Sequence, residues 1–483
     1  MKNTLVITYI SIWILFFTSG IYSEEMKFDL SSAVKLGLKK NRSVLLSVKD
    51  SWLQAEISHL QTKAQYKPQL NLTGNIKRAS SYDVSSAITS YTEEGAEPSD
   101  ATTSVSGDSD NIGLALTQQF PILQTGGKLS LNCNYLYETQ SDYPNTSRLG
   151  MEFTQPLSPG QVLTQKSEWK DAEESYFTAE LNYKSSQEQL IYDIINQYIG
   201  LVKAEKAIER IRKSTDAGKS LLDIAKLRHQ AGEIAEIDML NLDIQNKLDE
   251  DTIITQERAL AQQRDEFVKL LGLTKGTTIM LDPEISIKTY EVSYKDALEL
   301  SKKNRAEYKQ QILGIDDALV NLKQTKYSNW PDMSLNANYY LEQLNTGWTP
   351  QWEVNAEFTL PLYAGGIYKH NVRKAESSYN LVRQSFEEFE ETVERELDEI
   401  FSQLEINKRR IEVLKQALKA SEESLKVSEL RFKMGIISYN DYSQDMERYN
   451  QAEQTVTDTE LEIVMLHVRL LKSVGKLLEV YSN

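Results

Sequence analysis

The sequence contains two similar halves, and this internal repeat restricts the possible folds more than any other feature. Residues 33–42 resemble residues 297–305, and both stretches end in Lys-Lys-Asn-Arg. Residues 68–72 and 153–157 are matched, in the same order, by residues 331–335 and 358–362. Identical spacing relates Leu227, Arg228, Gly232 and Asp238 to Leu430, Arg431, Gly435 and Asp441. Because these matches occur in the same order in both halves, we predict two copies of one structural unit, residues 24–290 and 291–483.

Each half is predicted to run through helix, strands, long helix, turn and shorter helix. In the first repeat we predict helix 30–66, strands 69–78, 111–120, 128–137 and 148–157, and helices 161–230 and 236–271. In the second we predict helix 294–328, strands 332–342 and 351–360, and helices 366–433 and 438–478. The first half has two extra strands, so the sequence leaves open whether four or six strands act together.

Apolar residues along the long helices recur at spacings of three and four, which is typical of a coiled-coil seam. The stripe of the second half runs from Tyr379 to Leu418. At 1.5 Å per residue, helix 161–230 spans roughly 105 Å, and the two shorter helices of its repeat together match that length. The fold class predicted is therefore mainly α, with long antiparallel coiled-coil helices and a β portion.

The predicted strands are about ten residues long and alternate apolar with polar side chains, as tilted membrane strands do. Aromatic residues near the strand ends fit a membrane–water interface: Trp330, Tyr340, Trp348 and Trp352. A soluble hairpin with one buried face would show the same alternation. The absence of any second soluble layer in the predicted elements favours lipid.

The N-terminus reads as a signal peptide, residues 1–23, with Lys2 followed by the apolar run 5–17. The formal net charge of −16 argues against nucleic acid as a partner. One cysteine and four scattered histidines provide no metal or cofactor motif, and no catalytic signature is present. These features predict an exported protein that is not an enzyme and needs no cofactor.

The duplicated order of helix, strands, long helix, Leu-Arg-x-x-x-Gly turn and helix resembles the TolC-like outer-membrane efflux proteins. That resemblance covers the whole mature chain. It implies a homotrimer whose strands form a transmembrane β-barrel, continuous with an α-helical tunnel in the periplasm. Such a subunit gives passive exit to substrates that an inner-membrane pump and a periplasmic adaptor (membrane fusion protein) deliver, in tripartite efflux or type I secretion.

The resemblance also implies that acidic residues just after the second turn line a closed periplasmic entrance. Asp441 matches the first such position, whereas Gln444 replaces the second acid and Ile437 replaces a basic brace. Asp238 and Asn241 hold the equivalent places in the first half. Ser438-x-x-Asp441 equally fits a capping box, so Asp441 has two compatible interpretations, and capping is preferred for Asp238.

The turn residues Leu227, Arg228, Gly232, Leu430, Arg431 and Gly435 are candidates for contact with the adaptor. The glycines are predicted to have positive φ, and solvated arginines are the default expectation. A periplasmic coiled-coil adaptor is the main alternative, but it does not explain the strand sets. An adhesin or structural fibre would predict longer tandem arrays. The sequence leaves the transported substrate and the pump class open.

Overall fold

The computed structural model describes most of the chain after the predicted signal peptide, which lies outside the described residues. The described residues are 26–82, 106–122, 125–138, 145–277, 279–282, 285, 290–328, 330–344, 347–360 and 362–482. They fall into two compact units, each built from both repeats. Unit 1 comprises Met1–Trp52, Ala179–Gln311 and Phe386–Asn483, and unit 2 comprises Leu53–Thr178 and Ile312–Ser385.

In each half two shorter helices precede a very long helix, and a helix of 35 residues follows it. They are α1 Leu30–Lys40, α2 Arg42–Gln65, α3 Pro159–Gln230, α4 Glu236–Leu270, α5 Tyr294–Asn304, α6 Ala306–Tyr327, α7 Ile367–Lys433, α8 Tyr439–Ser473 and α9 Leu477–Ser482. None of those described has an apolar stretch long enough to cross a membrane. The strands are β1 Met26–Phe28, β2 Gln69–Tyr82, β3 Ser106–Ile122, β4 Gly127–Glu138, β5 Asn145–Pro156, β6 Ile279–Leu281, β7 Asp332–Leu344 and β8 Gly347–Thr359.

Two predicted helices are each broken in two, which corrects the predictions for 30–66 and 294–328. The first break is at Asn41, whose ψ of 84° is not helical and whose Nδ2 donates to the Leu270 carbonyl at 2.7 Å. The second is at Arg305, with ψ 128°, whose guanidinium lies in an ion-pair network. Long-range partners therefore override a periodicity that would allow one helix.

The predicted helix 438–478 also stops early, because α8 ends at Ser473 and Gly475 has φ 69°. Gly272, after α4, has φ 70°. A Cβ added to Gly272 would crowd the backbone of 40–41, and one added to Gly475 would crowd that of 304–305. The two repeats thus end their return helices with the same close approach of a glycine to the break between their first two helices.

Unit 2 contains one six-stranded antiparallel sheet in the order β2-β3-β4-β5-β7-β8. The pairing of β5 with β7 joins the strands of the two repeats, with Leu149 opposite Leu341. All six strands therefore belong to one sheet. Within the described residues, β2 and β8 each have a neighbour on one side only.

The two faces of this sheet differ sharply in polarity. One row across it is apolar and in register: Leu72, Leu116, Cys133, Leu149 and Leu341. The next row, on the opposite face, contains Thr73, Asn134, Arg148, Glu342 and Thr349. The apolar face is largely exposed in the single chain, with Ile76 at 84% and Trp352 at 75% of their full accessibility.

Unit 1 holds the buried cores of the chain. The largest core joins α1, α3, α4 and α8 around residues such as Ala33, Ile194, Phe267 and Leu471. A second core joins α5, α6, α7 and α8 around Ala297, Tyr308, Leu397 and Leu470. In the same unit, β1 and β6 form a short parallel pair that the sequence does not predict.

Candidate functional site

Two equivalent turns reverse the long helices: the first tip turn, residues 231–235, and the second tip turn, residues 434–438. Gly232 and Gly435 both have φ 77°, as predicted. In the first turn the Gly232 N–H donates to His229 and the Glu233 N–H to Arg228, both at 2.9 Å. The second turn repeats these bonds from Gly435 to Phe432 and from Ile436 to Arg431. This is the Schellman motif, which requires a left-handed residue.

Arg228 connects the two tip turns within one subunit. Its Nη1 donates to the Phe432 carbonyl at 2.9 Å, and its Nε donates to Glu233 at 3.2 Å. Its side chain is only 15% exposed. The expectation of a solvated arginine is therefore wrong for Arg228, whereas its repeat equivalent Arg431 is exposed. A local pattern could not reveal a partner 204 residues away.

A small apolar core, the tip cluster, lies beneath the turns. Its buried members are Leu221, Leu222, Ala225, Leu242, Phe432 and Tyr442. The Phe432 ring stacks on Tyr442 at 5.8 Å between centroids and meets Tyr439 edge-on at 6.2 Å. Burial raises the pKa of the Tyr442 hydroxyl well above its ordinary range, so this side chain stays neutral. Ile437, at the position of the implied basic brace, packs against the cluster.

Asp441 forms a complete capping box at the start of α8. Its N–H donates to Ser438 Oγ at 3.2 Å, and its Oδ2 accepts from the Ser438 backbone at 3.2 Å and from Ser438 Oγ at 2.8 Å. Asp441 and Gln444 are both exposed. The capping interpretation of Asp441 therefore describes its local contacts, while the exposed carboxylate remains accessible to solvent.

The first tip turn is capped less well. The residue preceding α4 is Ala235, which provides no side-chain cap. Asp238 stands in the first helical turn, where its charge favours the helix N-terminus. Asn241 is exposed, as is Gln444 at the equivalent place in the second hairpin. Asp238 and Asp441 thus occupy equivalent positions in the two hairpins, but only Asp441 forms a capping box.

Large apolar side chains project from the turns into solvent. Leu227 is 67% exposed and Leu430, its repeat equivalent, is 59% exposed. Met434 and Ile436 of the second turn are also exposed. Exposed apolar side chains grouped at one place mark an interaction surface more often than an accident.

The four aromatic residues near the strand ends do not share one environment. Trp348 and Trp352 lie on the apolar face of the sheet, and Trp330, before β7, is exposed beside Tyr327. Tyr340 points to the polar face, where its hydroxyl meets Gln351 Oε1 at 2.5 Å and Arg148 lies over its ring at 4.5 Å. Arg148 also pairs with Glu342 at 2.9 Å. The period of two along β7 places Tyr340 away from the tryptophans.

Within the described residues, no group of three or more His, Cys, Asp or Glu side chains is placed to hold a metal ion. His229 lies next to the first tip turn, where its Nδ1 is 3.3 Å from the Ile234 carbonyl. The functional features at the tips are thus a guanidinium bridge, exposed acids and exposed apolar side chains.

Long helical hairpins and a six-stranded antiparallel sheet are also found together in solved structures of outer-membrane proteins. The outer membrane protein VceC of Vibrio cholerae has this fold, with TM-score 0.66, 14% identity, and 92% of this chain and 96% of that chain covered. The CmeC outer membrane channel of Campylobacter jejuni matches with TM-score 0.66, 14% identity and coverage of 93% and 86%. The MtrE outer membrane channel of Neisseria gonorrhoeae matches with TM-score 0.63, 14% identity and coverage of 93% and 89%.

Residues 297–476, most of the second repeat, match the family described as Outer membrane efflux protein. No curated protein matches the chain in sequence. The family match is confined to the second repeat, whereas the shared fold extends over 92% of the chain.

Proposed function

We propose that three copies of this chain form a continuous conduit that gives passive exit from the periplasm to substrates delivered by an inner-membrane pump and a periplasmic adaptor. The observation that carries this proposal is the six-stranded sheet, which is apolar on one face and, among the described residues, has two unpaired edges. Open strand edges are not tolerated in lipid, because each unpaired backbone group costs several kcal/mol. Three sheets of six strands give 18, an even number within the range known for such barrels.

The height of the apolar face fits a lipid bilayer. From Met333 to Leu341 the apolar residues of β7 span roughly 27 Å along the strand, since each residue advances about 3.4 Å. A tilt of about 40° reduces this to roughly 21 Å, close to the apolar band of about 25 Å in outer-membrane barrels. Trp330 and Trp348 lie near opposite ends of this strand pair and suit the two interfaces. Tyr340 lies on the polar face of the sheet and is therefore not one of these interfacial residues.

Exposed apolar stripes on two different helices suit a ring of identical subunits. On α4 the stripe is Ile237, Leu240, Ile244 and Leu248, and on α7 it is Ile406, Val413 and Val427. The opposite sides of these hairpins already meet inside one subunit, through the tip cluster and Tyr439. Since the two stripes are different surfaces, α7 of one copy against α4 of the next gives a heterologous contact that closes as a ring.

Disulfide cross-linking tests the trimer at one height above the turns. Leu240 lies eight residues after Gly232 and Val427 lies eight residues before Gly435, so both stand about 12 Å from their turns. With Cys133 replaced by Ser, the pair Leu240→Cys and Val427→Cys should oxidise into cross-linked trimers. The control pair Asp223→Cys and Val427→Cys uses an exposed residue on α3 and should remain monomeric. Trimers from the control pair alone would overturn this arrangement.

Conduction is tested by single-channel recording in a planar bilayer at several salt concentrations. A ring of three Asp441 carboxylates at a narrow entrance favours cations. We therefore expect a small conductance with cation preference. A purified protein that stays in solution without detergent and never inserts would contradict the proposed conduit. The apolar tip residues Leu227, Leu430, Met434 and Ile436 are the proposed contact with the adaptor, together with Arg431.

A further inference from the structure

Glu188, on α3 in unit 1, is a buried carboxyl group with incomplete bonding. Its side chain lies in the core of the unit, and the residue is 6% exposed. Its Oε1 atom is shielded from solvent and has no hydrogen-bond partner among the described residues. Glutamate is almost never fully buried unless it is paired, because losing hydration disfavours the charged form. The position therefore calls for an explanation other than packing.

The charged groups around Glu188 come from three helices: Lys184 on α3, Arg305 and Glu307 at the start of α6, and Lys472 on α8. Two of these three cations, Arg305 and Lys472, already have other partners. Arg305 Nε donates to Glu307 at 3.2 Å and Nη1 to Glu396 at 2.9 Å. Lys472 Nζ donates to Gln189 at 2.5 Å. On the α2 side, Ser47, Val48 and Ser51 line a cavity with Ser185 and contribute no charge.

This arrangement makes Glu188 reluctant to ionise. Burial, the largest effect, raises the pKa of the Glu188 carboxyl to about 7, and Glu307 raises it while Lys184, Lys472 and Arg305 oppose the shift. The group therefore changes charge near neutral pH. Since the folded-state pKa lies above the ordinary value of 4.5, its contribution to stability grows as pH falls from about 7 toward 4.5 and is lost above 7.

The repeat provides a contrast at the equivalent place. Gly232 and Gly435 are 203 residues apart, and the same offset relates Glu188 to Glu391 on α7. Glu391 is exposed. The long helices α3 and α7 thus have a glutamate at equivalent positions. Only Glu188, in the first repeat, is buried, and it lies beside residues of the second repeat.

We propose that Glu188 is a proton-responsive group that controls how tightly α3 of the first repeat packs against α6 and α8 of the second. In the neutral form, Arg305 keeps its two carboxylate partners and the buried site carries no excess negative charge. In the ionised form, the Glu188 carboxylate faces Glu307 in a poorly hydrated site, and the junction formed by α3, α6 and α8 loosens. The junction is tighter in acidic than in alkaline surroundings.

Hydrogen exchange of the full-length protein in detergent tests the proposal, with rates corrected for the intrinsic effect of pH. Backbone amides of 184–196 and 465–473 should be better protected at pH 6 than at pH 8. Glu188→Gln should show the same strong protection at both pH values, and Glu391→Gln should behave as the unchanged protein. A pH difference that persists in Glu188→Gln, or that is absent from the unchanged protein, would overturn the proposal.

A second measurement starts from the unchanged protein and uses the variants only to assign the signal. Infrared difference spectroscopy of the unchanged protein should show the C=O band of a protonated carboxylic acid that disappears as pH rises through about 7. Loss of that band in Glu188→Gln, but not in Glu391→Gln, assigns it to Glu188. A protein without such a band at pH 6 would contradict the proposal. His467, whose pKa burial lowers, is common to all three proteins and cancels in the comparison.

Discussion

The guanidinium group of Arg228 fills the space beside Gly435 in which any other residue would place its Cβ atom. The second tip turn therefore needs glycine for two reasons, its φ of 77° and its contact with the first turn. Gly232 has the same φ, but an added Cβ there would have no atom within 4 Å. The equivalent glycines differ only because one of them faces the other hairpin.

Gly435→Ala should destabilise the tip more than Gly232→Ala does. A left-handed conformation costs each alanine about 1–2 kcal/mol, and only Gly435→Ala adds the clash with Arg228. Thermal unfolding and hydrogen exchange at 434–438 measure the difference. In an Arg228→Ala background the two alanine variants should become equal, and a difference that survives there would show that Arg228 is not its cause.

Arg228→Ala should loosen the link between the tip turns and raise single-channel conductance. The lost hydrogen bond to the Phe432 carbonyl is charge-assisted and contributes about 1.5–3 kcal/mol. Arg431→Ala is the matched control, because it removes the exposed equivalent in the other repeat. Equal conductance of the two variants would contradict a bridging role for Arg228.

Asp441→Ala should raise conductance or weaken block by cations, because it removes a ring of carboxylates from the proposed entrance. Ser438→Ala separates this effect from capping, since it breaks the capping box but keeps the carboxylate. That control should cost about 0.5–2 kcal/mol of stability and leave cation block unchanged. If both variants alter block equally, Asp441 acts through the helix start alone.

Val354→Lys and Asn355→Lys test the orientation of the sheet with neighbouring residues. Val354 lies on the apolar face and Asn355 on the polar face. A lysine on the lipid face near the bilayer midplane costs about 2–4 kcal/mol, whereas a lysine on the lumen face does not. Folding into lipid vesicles, followed by urea titration, measures the free energies. A larger loss for Asn355→Lys would reverse the assignment of the faces.

His467 should make unit 1 sensitive to acid. The residue is 5% exposed, and burial, followed by the nearby Lys408, lowers the pKa of its ring while Glu291 opposes the shift. Stability from the neutral ring is present above pH 6.5 and lost as pH falls through the lowered value. The difference between the melting temperatures at pH 5 and pH 7 should therefore be smaller for His467→Leu than for the unchanged protein. The exposed control His370→Leu should keep the original difference.

The sequence predicted the features that depend on neighbouring residues. Apolar residues at spacings of three and four indicated the long helices α3 and α7. Gly232 and Gly435 indicated the tip turns. The pattern Ser438-x-x-Asp441 indicated the start of α8. Features that depend on distant partners were missed or misassigned. Asn41 breaks a helix by bonding Leu270, and Arg228 leaves solvent to bond Phe432. Three-residue strands such as β1 and β6 are too short for a periodic signal.

The pairing of β5 with β7 has a consequence for how the chain matures. Residues 156 and 332 at the inner ends of these strands are separated by α3, α4, α5 and α6, so the sheet cannot close early in synthesis. Until β7 has been synthesised, β5 lacks the strand that pairs with its outer edge. Bare edges invite pairing with other chains, and distant pairings form slowly. A chaperone that shields β2–β5 would therefore benefit this protein more than one acting on its helices.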